Sequence, residues 1–342
     1  MDLPAANPLP PKNRPVWASF LWGCVLGVFA AGGAEIVRMV SFHNQHVVMP
    51  GLVYRTGQLQ NDDLRAIVAK KQIRTLVNLR GRPISDWYPA ECASSQELGI
   101  SQEDITSSAN RLPSPLEICR LIEVFDRSEY PILLHCQQGA DRTGLASATW
   151  QLLYTDADYE TARRQCSPRY GHFRVLTTAN MDLFFDLYEE WLSARHEGHS
   201  PANFREWATR HYKPGVSLAK LELINSPVEL PASEAIVFRL RATNLSDLPW
   251  EMSAGTLIGV HARYWVYDVS NRPVYFGQAG FQNGVVRLGE AVELPLPIPA
   301  MPGPGKYRLL ADLSRQNYDF FQYGSEPLNY EWNAVDPAKP VK

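Results

Sequence analysis

Cysteine is scarce in this chain, and what there is cannot build a framework. Cys24, Cys92, Cys119, Cys136 and Cys166 are odd in number, widely spaced and without a CxxC pair, which excludes a disulfide scaffold and a cysteine-based zinc site. An odd set leaves at least one free thiol. Excess charge of either sign is missing as well. The net charge is −3, charged residues make up 20% of the chain, and no basic cluster able to hold a phosphate backbone occurs, so nucleic acid is excluded as a partner. Arg163-Arg164 reads as a solvated helix face. Internal repeats are absent, and low-complexity sequence is confined to the N-terminal tail.

What is present is enough for two folded domains: 342 residues, 45% of them hydrophobic. Residues 1–15 form a polar tail with Pro4, Pro8, Pro10, Pro11 and Pro15. From Val16 to Ala34 the chain then carries no charge. As a helix those residues reach roughly 28 Å, close to the roughly 30 Å hydrocarbon core of a bilayer. This predicts a transmembrane helix within residues 16–40, with residues 16–34 as the membrane contact. A cleaved signal peptide ending at the small residues Ala30 to Ala34 is the competing reading, and a buried helix is a third. A lipoprotein signal is excluded, because bulky Trp22 precedes Cys24 where a small residue is required. Lys12 and Arg14 stand before the run and Arg38 after it, a margin that favours a cytoplasmic N-terminus and a periplasmic remainder.

Alternating strand and helix signals follow. Val53–Gln58 reads as a strand and turn, Leu64–Lys71 as a helix, and Ile73–Leu79 as a buried strand. Pro113-Ser114-Pro115 opens a helix over Leu116–Arg127. Pro131–His135 is a short apolar run of the kind found in a covered parallel sheet. Helices are expected over Gly144–Tyr154, Tyr159–Gln165 and Thr178–Arg195. Residues 44–197 therefore read as an α/β domain with a central, mostly parallel sheet flanked by helices.

After a linker at 198–214, with a short helix within Pro201–Tyr212, the period changes to two. Ile236, Phe238, Leu240 and Ala242 alternate with polar neighbours, and the same period recurs from Val292 to Ile298 and from Tyr307 to Leu313. Turn signals separate these runs at Asn244–Asp247, Ser270–Pro273, Asn283-Gly284 and Pro302–Gly305. Residues 215–335 read as an antiparallel, immunoglobulin-like β-sandwich, an interaction or spacer module whose partner the sequence does not name.

The chemistry is concentrated in His135-Cys136-Gln137-Gln138-Gly139-Ala140-Asp141-Arg142-Thr143-Gly144. A strand enters this segment and a helix leaves it. Inward backbone N–H groups and the positive helix end make an anion site the size of one phosphate. Residues 137–142 line that site. Gly139 permits the tight turn, Gly144 a close approach, and Arg142 can fork two hydrogen bonds onto phosphate oxygens. The same field favours the ionised thiolate of Cys136, the form able to attack phosphorus. Thr143 is placed to donate its hydroxyl to that sulfur, and His135 to orient the loop. Arg55 and Arg80 end strands and face either the phosphate pocket or solvent. Arg169–Phe173 is either a cover for the site or a packed corner.

This segment resembles the HCxxGxxR[ST]G signature of the protein tyrosine phosphatase superfamily at every fixed position. The stretches VYRTGQ (Val53–Gln58), RTLVNLRG (Arg74–Gly81) and ADRTG (Ala140–Gly144) resemble bacterial dual-specificity-like members over about residues 50–195. The resemblance implies a metal-free, cofactor-free phosphatase of the dual-specificity type that works through a phosphocysteine intermediate. It also implies a general acid. Family members place an Asp about thirty residues before the nucleophile, where Asp104 stands, yet residues 107–111 ahead of the next helix carry no carboxylate. Some phosphatases instead use an Asp beside the loop arginine, here Asp141. The order of expectation is Asp141, then Asp104, then Asp86. Neutral Gln137, Gln138 and Ala140 favour phosphotyrosine-like protein substrates over inositol or lipid phosphates. A phosphate-binding pseudoenzyme is the reading from another class, opposed by the retained Cys136 and Arg142.

Overall fold

The computed structural model describes residues 20–24, 27, 43–175, 178–316 and 318–336. Contacts divide the chain into two compact units that interleave along the sequence. The second contains Ile105–Arg127, Trp150–Tyr159 and the chain from Val175 onward.

The first unit is built on five strands: β1 (His46–Met49), β2 (Val53–Thr56), β3 (Thr75–Asn78), β4 (Ser101–Asp104) and β5 (Ile132–His135), in the order β1-β2-β5-β3-β4. β1 runs antiparallel to β2, and the remaining neighbours are parallel. β2, β3 and β5 are buried at every position, which is why their sequences read as unbroken apolar runs rather than alternations. Helix α1 (Asn61–Lys71) covers one face with Leu64, Ile67 and Val68, which join Tyr54, Ile73, Leu76 and Leu133 in a single apolar cluster. Register aligns Thr56, Asn78 and Asp104 with His135 across the carboxyl ends of the four parallel strands. Ligand sites form at that end of such sheets.

Helix α2 (Trp87–Glu97) has no counterpart in the sequence reading. Its buried positions are Glu91, Ser94 and Ser95, so it shows no apolar stripe from which to infer a helix, and Pro89 sits in its first turn, where proline is tolerated. Its polar inward face bears on the site described below.

Helix α4 (Asp141–Tyr154) belongs to the first unit up to Thr149, and α5 (Tyr159–Arg163) belongs to it from Glu160. In the second unit, helices α3 (Pro115–Arg127), α6 (Ala179–Arg195) and α7 (Pro201–Glu206) accompany the β domain. Strand β8 (Ile236–Asn244) lies between β6 (Ala219–Leu223) and β11 (Ala291–Ile298) in one sheet. β9 (His261–Asp268), β10 (Pro273–Ala279), β12 (Gly305–Arg315), β13 (Leu328–Val335) and β7 (Glu229–Pro231) belong to another. Phe238, Leu240, Leu294 and Leu296 from the first meet Tyr264, Val266, Leu309, Ala311 and Trp332 from the second in one buried core. That core is the physical basis of the period-two alternation. The segment ahead of α3 is clamped within the same unit. Arg111 forks onto Glu117, and the hydroxyls of Tyr323 and Tyr212 donate to the carbonyls of Leu112 and Pro113 at 2.7 and 2.6 Å.

The N-terminal transmembrane helix is corrected. Among the described residues no helix is long and apolar enough to cross a membrane. Of the segment 16–40, helical structure is described at Phe20–Cys24 and Gly27. The rest of that segment, including most of the membrane contact expected at 16–34, lies outside the described residues.

Candidate active site

The strand–loop–helix segment folds as its pattern requires. β5 delivers Cys136 at its carboxyl end, residues 137–140 turn, and α4 starts at Asp141. Cys136 is 3% exposed. Gly139 adopts φ +69°, and a Cβ there would stand 2.6 Å from the backbone of Thr56 and Gly57. A side chain is therefore excluded twice, by conformation and by space. Gly144 is similarly confined. A Cβ on it would lie 2.8 Å from the Gln165 carbonyl and 2.9 Å from Cys166 Sγ.

Four consecutive loop carbonyls are claimed from outside the loop. Gln58 N donates to Gln137 O at 3.0 Å, and Asn44 Nδ2 to Gln138 O at 3.1 Å. Arg55 Nη2 donates to Gly139 O at 2.7 Å and Ala140 O at 3.1 Å. Carbonyls drawn outward turn the peptide N–H groups toward the centre of the loop, the arrangement of an anion-binding nest. Arg55 is thus a brace beneath the loop. It is fully buried, lies over the Tyr170 ring at 4.2 Å, and also binds the Gln165 carbonyl and side chain at 2.7 and 2.8 Å. Burial pulls it down to about 10, opposed by Cys166, Tyr170, Cys136 and Asp141 around it. It stays a cation at neutral pH.

The other expected residues fall as follows. Arg142 stands in the first turn of α4, with Nη1 3.4 Å from the Leu79 carbonyl. Gln137 and Gln138 are exposed, while Gly139 and Ala140 are buried. Thr143 is fully buried and its hydroxyl has no hydrogen-bond partner, so the expected O–H···S bond to Cys136 is not formed. His135 is buried between two acceptors, with Nδ1 3.4 Å from the Cys136 carbonyl and Nε2 3.4 Å from Glu91 Oε1.

The three candidate acids are separated. Asp141 lies beside Arg142, and its Oδ1 is 2.7 Å from His172 Nδ1. Asp104 ends β4, two strands from His135, or roughly 10 Å at the usual strand spacing. Its carboxylate already accepts from Asn78 at 2.9 Å, Arg82 at 3.1 Å and Tyr88 at 2.6 Å. Asp86 is exposed at the start of α2 and caps nothing.

Sequence reasoning left four contributors unassigned. Asn44 and Glu91 carry no motif. Arg55 and His172 were ambiguous. The signals that point to them are VYRTGQ, whose arginine lies on a fully buried strand, and RYGHF, whose Tyr170 carries Arg55 and whose His172 meets Asp141.

A family model described as PTP-NADK, a DSP-PTPase phosphatase fused to NAD+ kinase, matches residues 42–180. No curated protein matches the chain. Among solved structures, TpbA of P. aeruginosa is similar at 19% identity and a TM-score of 0.34, over 43% of this chain and 85% of that one. The core catalytic domain of the PP-IP phosphatase SIW14 of S. cerevisiae is similar at 18% identity and a TM-score of 0.33, over 45% of this chain and 93% of that one.

Proposed function

Taking residues 42–180 as a domain of the protein tyrosine phosphatase superfamily, dual-specificity-like in kind, we propose that this chain hydrolyses phosphate monoesters with Cys136 as nucleophile. The observation that carries this reading is the loop itself. Its four outward carbonyls leave the amides facing inward around a buried cysteine, and the N-terminus of α4 adds its positive end.

In the first step the Cys136 sulfur forms a bond to phosphorus as the ester P–O bond breaks. Loop amides and the Arg142 fork hold the equatorial oxygens, where negative charge concentrates. Asp141 gives its proton to the departing oxygen. Its carboxyl has one described hydrogen-bond partner, whereas the Asp104 carboxyl is already engaged by Asn78, Arg82 and Tyr88. Water then attacks the phosphocysteine, returning the thiolate and releasing inorganic phosphate.

Phosphotyrosine and dual-specificity protein substrates are the proposed class, because Gln137, Gln138 and Ala140 bring no cation into the loop for further phosphates. Phosphate release from a phosphotyrosine peptide, an inositol phosphate and a phospholipid, measured in parallel, tests both levels. Release from the peptide, lost in Cys136→Ser, is expected. No release from any of the three overturns the hydrolase reading.

A further inference from the structure

The carboxyl end of β3 carries a second arginine whose surroundings the sequence did not reveal. Arg80 follows directly after Leu79, the residue whose carbonyl accepts from Arg142 at 3.4 Å. Its guanidinium lies 4.1 Å over the Trp87 ring and donates from Nη1 to Gln58 Oε1 at 3.1 Å. Gln58 is itself tied to the nucleophile loop through its amide on the Gln137 carbonyl, and its Nε2 is anchored on buried Glu91 at 2.6 Å. A stacking ring and one hydrogen bond fix the plane of the fork and leave most of its N–H groups unused.

Arg80 is half-buried, and no carboxylate stands within ion-pair distance of it among the described residues. It feels Arg142 as a repelling neighbour and Cys136 and Glu91 as attracting ones. Burial first, and Arg142 second, hold it below the ordinary arginine value. A half-buried guanidinium that is repelled by a neighbouring arginine, and that has no carboxylate of its own among the described residues, is stabilised when a doubly negative group comes between the two cations.

We propose that Arg80 is a second phosphate-binding cation, which contacts the scissile phosphoryl group from the β3 side while the loop and Arg142 hold it from the α4 side. This rests on the phosphatase reading of the Cys136 loop. The dianionic ester is then met by two fixed positive forks. Because Arg80 binds the phosphate in the ground state and the transition state alike, it acts mainly on affinity.

The test uses the full chain and its Arg80→Gln and Arg80→Lys variants. KM and kcat are measured for p-nitrophenyl phosphate, and inorganic phosphate is used as probe both as competitive inhibitor and in direct calorimetric titration. Loss of one charge-assisted contact should weaken phosphate binding and raise KM by about 10- to 100-fold in Arg80→Gln, with kcat changed by only a few fold. Arg80→Lys should recover part of the loss, because it restores the charge and not the fork. Phosphate affinity within about twofold of wild type in Arg80→Gln overturns the proposal, as does a fall in kcat with affinity intact. If Arg80→Gln fails to fold, the same titration on Arg80→Lys decides, with unchanged affinity and unchanged KM counting against. Wild-type chain that binds phosphate through Arg80 yet turns nothing over sinks the hydrolase reading alone. Wild-type chain that does not bind phosphate sinks both.

Discussion

The carboxylate of Asp141 and the ring of His172 meet at 2.7 Å, with His172 2% exposed and the two residues 31 positions apart in the chain. The residue proposed to protonate the leaving group therefore also ties the RYGHF corner to the head of α4. This sets the first prediction. Asp141→Asn should slow hydrolysis of an alkyl phosphate far more than of an activated aryl phosphate, since an activated leaving group departs as a stable anion. The acid's contribution of about 10²–10⁴-fold then shows in the ratio of the two rates. Asp104→Asn should leave that ratio flat. The opposite pattern, with the ratio moving in Asp104→Asn alone, assigns the proton to Asp104.

Cys136→Ser should abolish turnover while inorganic phosphate still binds. A serine hydroxyl in the same loop remains protonated at neutral pH, and the inward amides and Arg142 do not depend on the sulfur. Residual activity above a few per cent of wild type excludes the covalent route.

Gly139→Ala should cost both stability and activity. The left-handed backbone alone disfavours a side chain by about 1–2 kcal/mol, and the new Cβ meets backbone at 2.6 Å, so the loop must shift. A lowered thermal midpoint with weakened phosphate binding is expected. Wild-type values for both show that the loop does not close on Thr56 and Gly57.

Arg55→Lys should destabilise the first unit while leaving the charge in place. Lysine cannot reach the Gly139, Ala140 and Gln165 carbonyls together, and each buried acceptor left unmatched costs about 1–3 kcal/mol. Denaturant unfolding of the variant reads the loss directly, and an unchanged midpoint removes Arg55 as the brace.

Stability should also carry a pH signature from the β domain. Burial pushes Asp312 up to about 7, against the pull of the Phe321 and Leu313 amides that it accepts and of Arg263, with Asp319 adding to the rise. A carboxyl raised in the folded state binds protons that the unfolded chain has already released. Stability is therefore greatest below about pH 4 as far as this group is concerned, and its contribution is lost as pH rises to about 7. Asp312→Asn should flatten the stability–pH curve across that window. A slope that survives in the variant assigns it to other groups.

The strand–loop–helix around Cys136 and the period-two strands of the β domain were legible in the sequence, because each is a local pattern. Cys136 and Arg142 lie six residues apart in a segment whose strand, turn and helix signals are contiguous. The β domain declares itself by a period of two that follows from one buried face per strand. Helix α2 was illegible for the converse reason, since it buries Glu91, Ser94 and Ser95 and so shows no apolar stripe. The braces were illegible because they are long-range. Asn44 reaches the Tyr170 carbonyl across 126 positions and Arg55 reaches Gln165 across 110. Whether an arginine at a strand end faces water, a loop or a second arginine depends on which distant elements cover it. Only the folded chain placed Arg55 beneath the loop and Arg80 over Trp87 against Gln58.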